Sequence, residues 1–337
     1  MLILGIETSC DDSSVALLED SKVLACVTAS QAAEHMKFGG VVPEIASRAH
    51  ALKLLPTLHF ALQSAKKSLS DINLIAVTQR PGLHGSLLVG LSTAKALSYA
   101  LKCPLLPVDH LEGHIMSLYL EHTVQYPILV LLASGGHTSL HLIHEDPSNW
   151  LENISHESMI SATKDDAAGE AFDKVAKLLR LSFPGGPAVE EAAKMGNPKA
   201  IKFPRPMPQS LDFSFSGIKT AVAKVCEKSK LSQEDLAASA QEAILDSILQ
   251  KIKKAIQHHR PQSLGIVGGV ASNLRLRQKL NSLGIPWIAP SLQYCTDNGA
   301  MIAKIGEYRY SQALIAPDFF TLTVNTKKLR AQTLKES

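Results

Sequence analysis

The chain has 337 residues, a formal net charge of +3, 45% hydrophobic residues and 19% charged residues. A chain of this length can bury a substantial core and suits about two domains of ordinary size. Its 20 glycines and 17 prolines are close to ordinary usage, which excludes collagen-like and low-complexity chains. The five cysteines are odd in number and include no Cys-x-x-Cys pair. We therefore expect free thiols and a cytoplasmic location.

Membrane-spanning and secreted classes are also excluded. The uncharged stretch between His122 and His144 could span a bilayer, but the polar run Ser134–Ser139 lies at its centre. The apolar N-terminus, Met1–Ile6, has no basic residue and runs directly into Glu7, which is not typical of a signal peptide. We expect no association with membranes.

Two strand–turn–strand patterns occur along the chain. Leu2–Ile6 is a short apolar strand that leads through a polar turn into a second strand, Val15–Leu18. Ile128–Leu132 likewise turns back, through Ser134–Thr138, into Leu140–Ile143. Each pattern predicts a buried hairpin whose turn is rich in backbone donors.

Each hairpin is followed by a strand, a glycine turn and a helix. Leu74–Val77 leads through Pro81–Ser86 into a predicted helix over Leu87–Leu101, and Leu264–Val267 leads through Gly268–Asn273 into one over Leu274–Leu283. Such turns direct backbone amides toward an anion. The order repeats, so we predict an α/β class with two related lobes.

Four further segments have predictable conformations. Apolar residues at helical spacing predict a long packed helix over Ser232–His259. Four prolines predict an irregular loop over Lys194–Ser214, and Thr163-x-x-Asp166 is typical of a capping box at a helix start. The tail from Thr326 to Ser337 is polar and predicted to fray.

One segment carries a histidine pair with the spacing of metal ligands. His110 and His114 are four residues apart, about 40° around a helix, so both can reach one ion. Asp297 is a third candidate, with a helix N-cap as its alternative role. Two histidines and one aspartate leave open positions, as in catalytic sites, and suit Fe²⁺, Zn²⁺ or Mn²⁺.

The pair does not match a zinc-protease motif. In His-Glu-x-x-His the glutamate directly follows the first histidine and acts as the base. Here Glu112 lies two residues after His110, about 200° around the helix, and is predicted to point away from the metal face. Peptide hydrolysis is therefore disfavoured.

An ordered set of motifs over about Leu2–Ile315 resembles the TsaD family of tRNA-modifying enzymes. The motifs are Gly5-Ile6-Glu7-Thr8-Ser9-Cys10-Asp11-Asp12, Gly39-Gly40-Val41-Val42-Pro43-Glu44, His110-x-Glu112-Gly113-His114, Ser134-Gly135-Gly136-His137-Thr138, Asp165 through Lys174, Pro184-Gly185-Gly186-Pro187, Asp212 through Gly217, Gly268 through Asn273 and Thr296-Asp297-Asn298-Gly299. No single motif decides the resemblance; their order does. One departure is Arg80, which stands where the family usually has a small residue.

The resemblance implies an actin/hexokinase/Hsp70-like (ASKHA) fold with duplicated ribonuclease H-like subdomains and an interlobe cleft. We expect a first lobe of residues 1–110 and about 297–325, and a second lobe of residues 111–296, with the metal and nucleotide between them. The implied activity is transfer of a threonylcarbamoyl group from threonylcarbamoyl-AMP to N6 of the adenosine 3′ to the anticodon, in tRNAs that read codons beginning with A.

The resemblance also implies roles for individual residues. His110, His114 and Asp297 match metal ligands, and the metal is Fe²⁺ by resemblance. Asp11 and Ser9 are candidate catalytic residues, with Asp11 as a possible base near the incoming amine. The positions that match adenylate-binding residues are Leu132, Ala133, Ser134, Gly135, Gly136, Asp173, Gly186, Glu190 and Asn273.

The expected partners are tRNA, a paralogous TsaB-like dimer partner and a TsaE-like ATPase. The net charge of +3 gives little non-specific attraction for phosphates, so we expect most tRNA affinity to require the assembled subunits. The loop Lys199–Arg205 is a candidate tRNA contact, whereas the lysines of Lys251–Lys254 are predicted to form a solvated helix face.

Two other functions remain open on the sequence. A small-molecule ATP-dependent kinase of the same fold would bind Mg²⁺ through oxygen ligands rather than histidines. A non-catalytic scaffold subunit is expected to have lost the histidine pair or Asp297, yet all three residues are present.

Overall fold

The computed structural model describes residues 1–146, 158–228, 231–311 and 319–326. Within these residues the chain forms two compact units, unit 1 (1–123, 146 and 290–326) and unit 2 (124–145 and 158–289). The tail expected to fray lies, apart from its first residue, outside the described residues. None of the described helices is long and apolar enough to cross a membrane.

Unit 1 contains a five-stranded mixed sheet. The strands are β1 (Leu2–Glu7), β2 (Asp12–Glu19), β3 (Lys22–Ser30), β4 (Ile72–Arg80) and β5 (Leu105–Asp109). Strands β1 and β4 pair in parallel, as do β4 and β5, whereas β1, β2 and β3 form an antiparallel meander, giving the order β3-β2-β1-β4-β5.

Helices cover both faces of this sheet because side chains alternate along its strands. The helices of unit 1 are α1 (Ala32–Met36), α2 (Pro43–Ala65), α3 (His84–Leu101), α4 (His110–Met116), α10 (Leu292–Cys295) and α11 (Gly299–Ser311). Leu4 and Ile6 of β1 join one core cluster with α2 and α3, whereas Ile3 joins a second cluster with α11.

Unit 2 repeats the strand order of unit 1. Its strands are β6 (Ile128–Ala133), β7 (Thr138–Ile143), β8 (Met159–Ala162), β9 (Ser263–Val267) and β10 (Trp287–Ile288). The order is β10-β9-β6-β7-β8, with an antiparallel β6-β7-β8 meander and parallel β6-β9-β10 pairing. Position for position, this is the order β5-β4-β1-β2-β3 of unit 1, so the predicted duplication and α/β class are confirmed.

The helices of unit 2 pack mainly on one another. The longest begins at Gln233 and ends at His259, with Ser232 as its N-cap, as the apolar spacing predicted. The helices of unit 2 are α5 (Ala168–Leu178), α6 (Gly185–Ala193), α7 (Ser216–Lys228), α8 (Gln233–His259) and α9 (Leu274–Leu280). A 3₁₀ turn over Asn281–Leu283 follows α9 and completes the helix predicted over Leu274–Leu283.

Two sequence expectations in unit 2 are wrong. The N-cap of α5 is Ala167, whose backbone N–H donates to Glu170 Oε2 at 3.4 Å, and the Thr163 hydroxyl donates to the Asp166 carbonyl, so Thr163 and Asp166 form no capping box. Lys251 is not solvated: it is 1% exposed, and its ammonium donates to the carbonyls of Met207 and Ser210. Lys251 therefore holds the proline-rich loop Lys194–Ser214 against the long helix α8.

Candidate metal centre and nucleotide-binding residues

The histidine pair lies on α4, which follows β5 directly. Asp109, the last residue of β5, caps this helix by accepting hydrogen bonds from the backbone of Leu111 and Glu112. A Cβ atom at Gly113 would lie 2.9 Å from Ile302 Cδ1 of α11. The glycine between the two histidines therefore lets α4 pack closely against α11, next to Asp297.

Asp297 is not the N-cap of the helix that follows it. Asn298 fills that role, because its Oδ1 accepts from the Met301 backbone N–H at 2.9 Å. The start of α11 is pressed onto the sheet, where a Cβ atom at Gly299 would lie 2.5 Å from the Ala16 nitrogen. The aspartate is thereby held near the β1–β2 turn, and its carboxylate is not used to cap the helix.

The three predicted ligands lie together. Asp297 Oδ1 lies 3.1 Å from His114 Nε2 and 3.6 Å from His110 Nε2, and one ligand atom from each residue lies within 4.8 Å of the others. Both ring nitrogens of His114 are buried and make no hydrogen bond among the described residues, although Nε2 contacts the Asp297 carboxylate. A buried polar nitrogen that makes no hydrogen bond is costly, and a metal ion bound at Nε2 would remove part of this cost.

A buried carboxylate, Glu7, orients His110. Glu7 Oε2 lies 3.0 Å from His110 Nδ1 and accepts from the Thr78 hydroxyl, while Oε1 accepts from the Ser9 backbone N–H. Carboxylates on the far nitrogen of a ligating histidine fix its tautomer and raise its basicity. The sequence analysis assigned no role to Glu7. The signal available in the sequence was an acidic residue at the end of an apolar strand, and the structure shows that this residue is fully buried.

The surrounding charges favour a cation. Although burial lowers the pKa of His110, Asp297 and Glu7 raise it to about 9. Burial raises the pKa of Asp11, and burial with Asp11 and Asp297 raises the pKa of Asp12 to about 7. This concentration of acids around two buried imidazoles fits a divalent metal ion.

Ser9, predicted to be catalytic, lies behind the histidine pair. Its hydroxyl is 3.2 Å from His110 Nδ1, the ring nitrogen that faces Glu7 rather than Asp297, and the residue is 3% exposed. This position is that of a support for His110. The catalytic assignments of Ser9 and Asp11 stay predictions.

Glu112 points away from the metal ligands, as its helical position predicted. Its Oε2 accepts from Arg309 at 2.8 Å, and burial and Asp109 raise its pKa to about 8. Arg80, the departure from the family pattern, donates to Asp109 Oδ2 at 3.1 Å. Arg80 thus holds the aspartate that caps the histidine-bearing helix.

In unit 2, the predicted adenylate residues of the β6–β7 hairpin form a short turn. Leu132 and Ala133 end β6, and the Ser134 carbonyl accepts from the Gly169 backbone N–H at the start of α5. A Cβ atom at Gly135 or Gly136 would meet nothing within 4 Å. The turn therefore presents open space that no protein atom occupies.

The remaining adenylate candidates are linked by hydrogen bonds between helices. Asp173 of α5 accepts from the Gly185 N–H at the start of α6, next to Gly186. Glu190 of α6 accepts from the Leu274 N–H at the start of α9, at 2.7 Å. Asn273 caps α9 through Leu276 and donates to Gln241, so Glu190 and Asn273 both hold the same helix start. Their binding of a nucleotide stays a prediction.

Comparison with solved structures defines the class of fold. The chain is similar to component A of (R)-2-hydroxyglutaryl-CoA dehydratase from Acidaminococcus fermentans, with a TM-score of 0.58 and 16% identity over 93% of this chain and 99% of that one. It is also similar to HypF from T. kodakarensis, with a TM-score of 0.58 and 14% identity over 93% of this chain and 48% of that one. These likenesses and the duplicated sheets place the chain in the ASKHA class.

Comparison of sequences then defines the family. Residues 22–304 match the family model "TsaD: tRNA N6-adenosine threonylcarbamoyltransferase". Relatives of that name are 47% identical in Desulfitobacterium hafniense, covering 94% of each chain, and 48% identical in Thermosipho melanesiensis, covering 91% of this chain and 94% of the relative. The chain belongs to the TsaD family of tRNA N6-adenosine threonylcarbamoyltransferases.

Proposed function

We propose that the chain transfers the threonylcarbamoyl group of threonylcarbamoyl-AMP to N6 of the adenosine 3′ to the anticodon, in tRNAs that read codons beginning with A. Family membership over most of the chain carries this proposal. The donor is a mixed anhydride, so the transfer forms a bond from N6 to the carbamoyl carbon and breaks that carbon's bond to a phosphate oxygen. AMP leaves, and one N6 proton must be accepted.

His110, His114 and Asp297 would hold one divalent metal ion, Fe²⁺ in our proposal, with Zn²⁺ or Mn²⁺ as alternatives. The metal would supply Lewis-acid or template chemistry to the donor. The buried His114 nitrogens, which make no hydrogen bond among the described residues, and the Glu7–His110 contact support this assignment.

Asp11 is our candidate for the group that accepts the N6 proton. Burial raises its pKa, which brings a carboxyl closer to the working range of a general base. Its backbone carbonyl accepts from the Gln31 N–H at 3.2 Å, which holds the turn that carries it. After burial, the negative charge of Asp297 also raises the pKa of Asp11 and favours proton uptake.

Unit 2 would bind the adenylate. The open turn at Ser134–Gly136 suits a phosphate, because an added side chain at Gly135 or Gly136 would meet no protein atom there. Asp173 and Glu190 would accept from ribose hydroxyls, since backbone N–H groups orient both carboxylates. Gly186, where an added Cβ would also meet nothing within 4 Å, lies beside Asp173's partner Gly185.

The expected TsaB-like partner would need an apolar surface, and α2 offers one. Leu52, Leu55 and Phe60 are 78%, 59% and 59% exposed, and the first two lie on one side of the helix. Exposed apolar patches of this kind mark protein interfaces. We propose this face for the paralogous subunit, with a TsaE-like ATPase completing a cytoplasmic enzyme.

Replacing one metal ligand tests the metal centre. We expect His114→Ala to abolish stoichiometric metal binding and to lower transfer at least about a hundredfold, because two ligands cannot hold the ion in place. Metal content is measured by elemental analysis of protein purified without oxygen, and transfer is measured with tRNA, threonylcarbamoyl-AMP and the partner subunits.

The matched control is His258→Ala, which removes an exposed histidine of α8. It should retain metal and activity. Normal turnover by a folded, metal-free His114→Ala protein would refute the ligand assignment, and the wild type's failure to modify tRNA would refute the proposed function itself.

Filling the turn in unit 2 tests the nucleotide site. Because a Cβ at Gly136 meets no protein atom, Gly136→Val is compatible with the fold but occupies the space proposed for phosphate. We expect AMP affinity, measured by calorimetry, to fall at least about tenfold, while the thermal midpoint stays near that of the wild type. Gly217→Val, at the start of α7 where an added Cβ would meet only Pro206 Cγ at 3.6 Å, is the control; unchanged AMP affinity in Gly136→Val would place the nucleotide elsewhere.

A further inference from the structure

A small loop in unit 1 displays an aromatic side chain that packs little against the rest of the unit. The loop runs from His35 to Val42 and carries the sequence His-Met-Lys-Phe-Gly-Gly-Val-Val. Phe38 is 47% exposed and Met36 is 50% exposed, whereas His35 at the base of the loop is fully buried. The tip is therefore apolar and open, and its base belongs to the core.

The loop is held closed at its base. His35 Nδ1 accepts from the Val42 backbone N–H at 3.3 Å, and its Nε2 lies 3.3 Å from Gln31 Oε1. The Phe38 N–H donates to the His35 carbonyl at 2.9 Å. Gly39 has φ +65°, a left-handed conformation that glycine adopts without strain, so the chain turns sharply just after Phe38.

The same loop adjoins the candidate catalytic turn. Gln31, the N-cap residue of the helix α1 that contains His35, donates its backbone N–H to the Asp11 carbonyl at 3.2 Å. The exposed tip is thus anchored to the residue expected to receive the incoming amine.

The tip also carries a positive charge on its aromatic ring. The Lys37 ammonium lies 5.1 Å from the centre of the Phe38 ring, a cation–π arrangement. Proteins bind unpaired nucleobases by stacking them on aromatic side chains while nearby cations contact the phosphates.

We propose that Phe38 stacks on an unpaired base of the tRNA anticodon loop, next to the adenosine to be modified, with Lys37 on the adjoining phosphate. This inference rests on the proposed function, since it concerns how the same active site receives its tRNA. Phe38 would be a substrate-binding residue that sets tRNA affinity and not the chemistry of the donor.

The test compares Phe38→Ala, Phe38→Leu and Phe38→Tyr in the enzyme assembled with its partner subunits. Base stacking contributes enough affinity that we expect Phe38→Ala and Phe38→Leu to raise KM for tRNA about tenfold to a hundredfold. Phe38→Tyr should restore it, because only an aromatic ring stacks. Metal content and kcat at saturating tRNA should not change. Met195→Ala, which removes another exposed apolar side chain, should match the wild type.

A direct readout uses an anticodon stem-loop with 2-aminopurine beside the target adenosine. Stacking on Phe38 should change its fluorescence with the wild type and Phe38→Tyr, and much less with Phe38→Leu. Equal KM values for Phe38→Leu and wild type, or weaker association with a protein partner at unchanged tRNA KM, would overturn the proposal. If the wild type transfers nothing to tRNA, the proposed function fails, and the fluorescence result alone then decides whether Phe38 stacks on a base.

Discussion

At the scale of single residues, the buried histidines differ in what their ring nitrogens contact. His50 contacts the Ser13 hydroxyl and the Cys10 carbonyl, and His141 lies between the hydroxyls of Ser139 and Ser158. His114 is equally buried, but neither of its nitrogens has a hydrogen-bond partner among the described residues. These hydrogen bonds, and their absence at His114, distinguish a candidate metal ligand from histidines that only complete the core. Burial is the same in all three and does not distinguish them.

His141 should make the stability of the protein depend on pH. Burial lowers its pKa from 6.5 to about 3, so the folded state keeps it neutral where the unfolded chain binds a proton. Its contribution is complete above pH 6.5 and is lost as the pH falls toward 3. By linkage, we expect it to cost about 2 kcal/mol of the free energy of unfolding between pH 7 and pH 5.

Denaturant unfolding of wild type and His141→Gln at several pH values measures this loss. The variant should lose less stability between pH 7 and pH 5, because one group no longer takes up a proton on unfolding. His59→Gln, an exposed replacement, should keep the wild-type slope. Equal slopes for His141→Gln and wild type would contradict the neutral, buried state of this imidazole.

At the scale of elements, several helix starts are held by side chains from elsewhere in the chain. Glu190 of α6 accepts from the start of α9, and Asp165 accepts from the backbone of Phe215 and Ser216 and from both flanking serine hydroxyls at the start of α7. Such contacts satisfy N–H groups that a helix cannot pair internally. They also tie separate segments together, so part of the acidic motif around Asp165 has a structural role.

We expect Asp165→Ala to lower the free energy of unfolding by about 1 kcal/mol or somewhat more, as loss of a helix cap does. Asp165→Asn should lose less, because an amide oxygen still accepts. Chemical denaturation gives the values, and the control is Glu191→Ala, which breaks an exposed ion pair with Lys194 worth little. A loss in Asp165→Ala no larger than in Glu191→Ala would show that the cap contributes nothing.

At the scale of the whole molecule, the charge balance limits how the chain alone can hold RNA. Arg205, in the loop expected to contact tRNA, pairs with Asp246 at 2.5 Å, and Lys279 pairs with the same aspartate. Lys251 is buried. Arg205, which the sequence offered to tRNA, is therefore engaged within unit 2, as are Lys251 and Lys279, and the net charge of the whole chain is only +3.

We expect the isolated chain to bind tRNA weakly, with a shallow dependence of affinity on salt, because few phosphate counterions are released. The complex with its partner subunits should bind tRNA more tightly and with a steeper slope. Binding is measured by fluorescence anisotropy over a range of salt concentrations. Nanomolar binding by the chain alone at physiological salt would contradict this prediction.

The sequence by itself determined the repeated hairpins, the long helix with Ser232 as its cap, and the three metal-ligand candidates, because each depends on local periodicity or spacing. Only the tertiary structure decided that Asn298 rather than Asp297 caps α11, that Glu7 supports His110, and that Lys251 is buried. It also revealed β3, β5, β8 and β10, which the sequence analysis did not predict. These outcomes depend on contacts between residues far apart in the chain, such as Glu7 with His110, and no local pattern specifies which distant partner a buried polar group will meet.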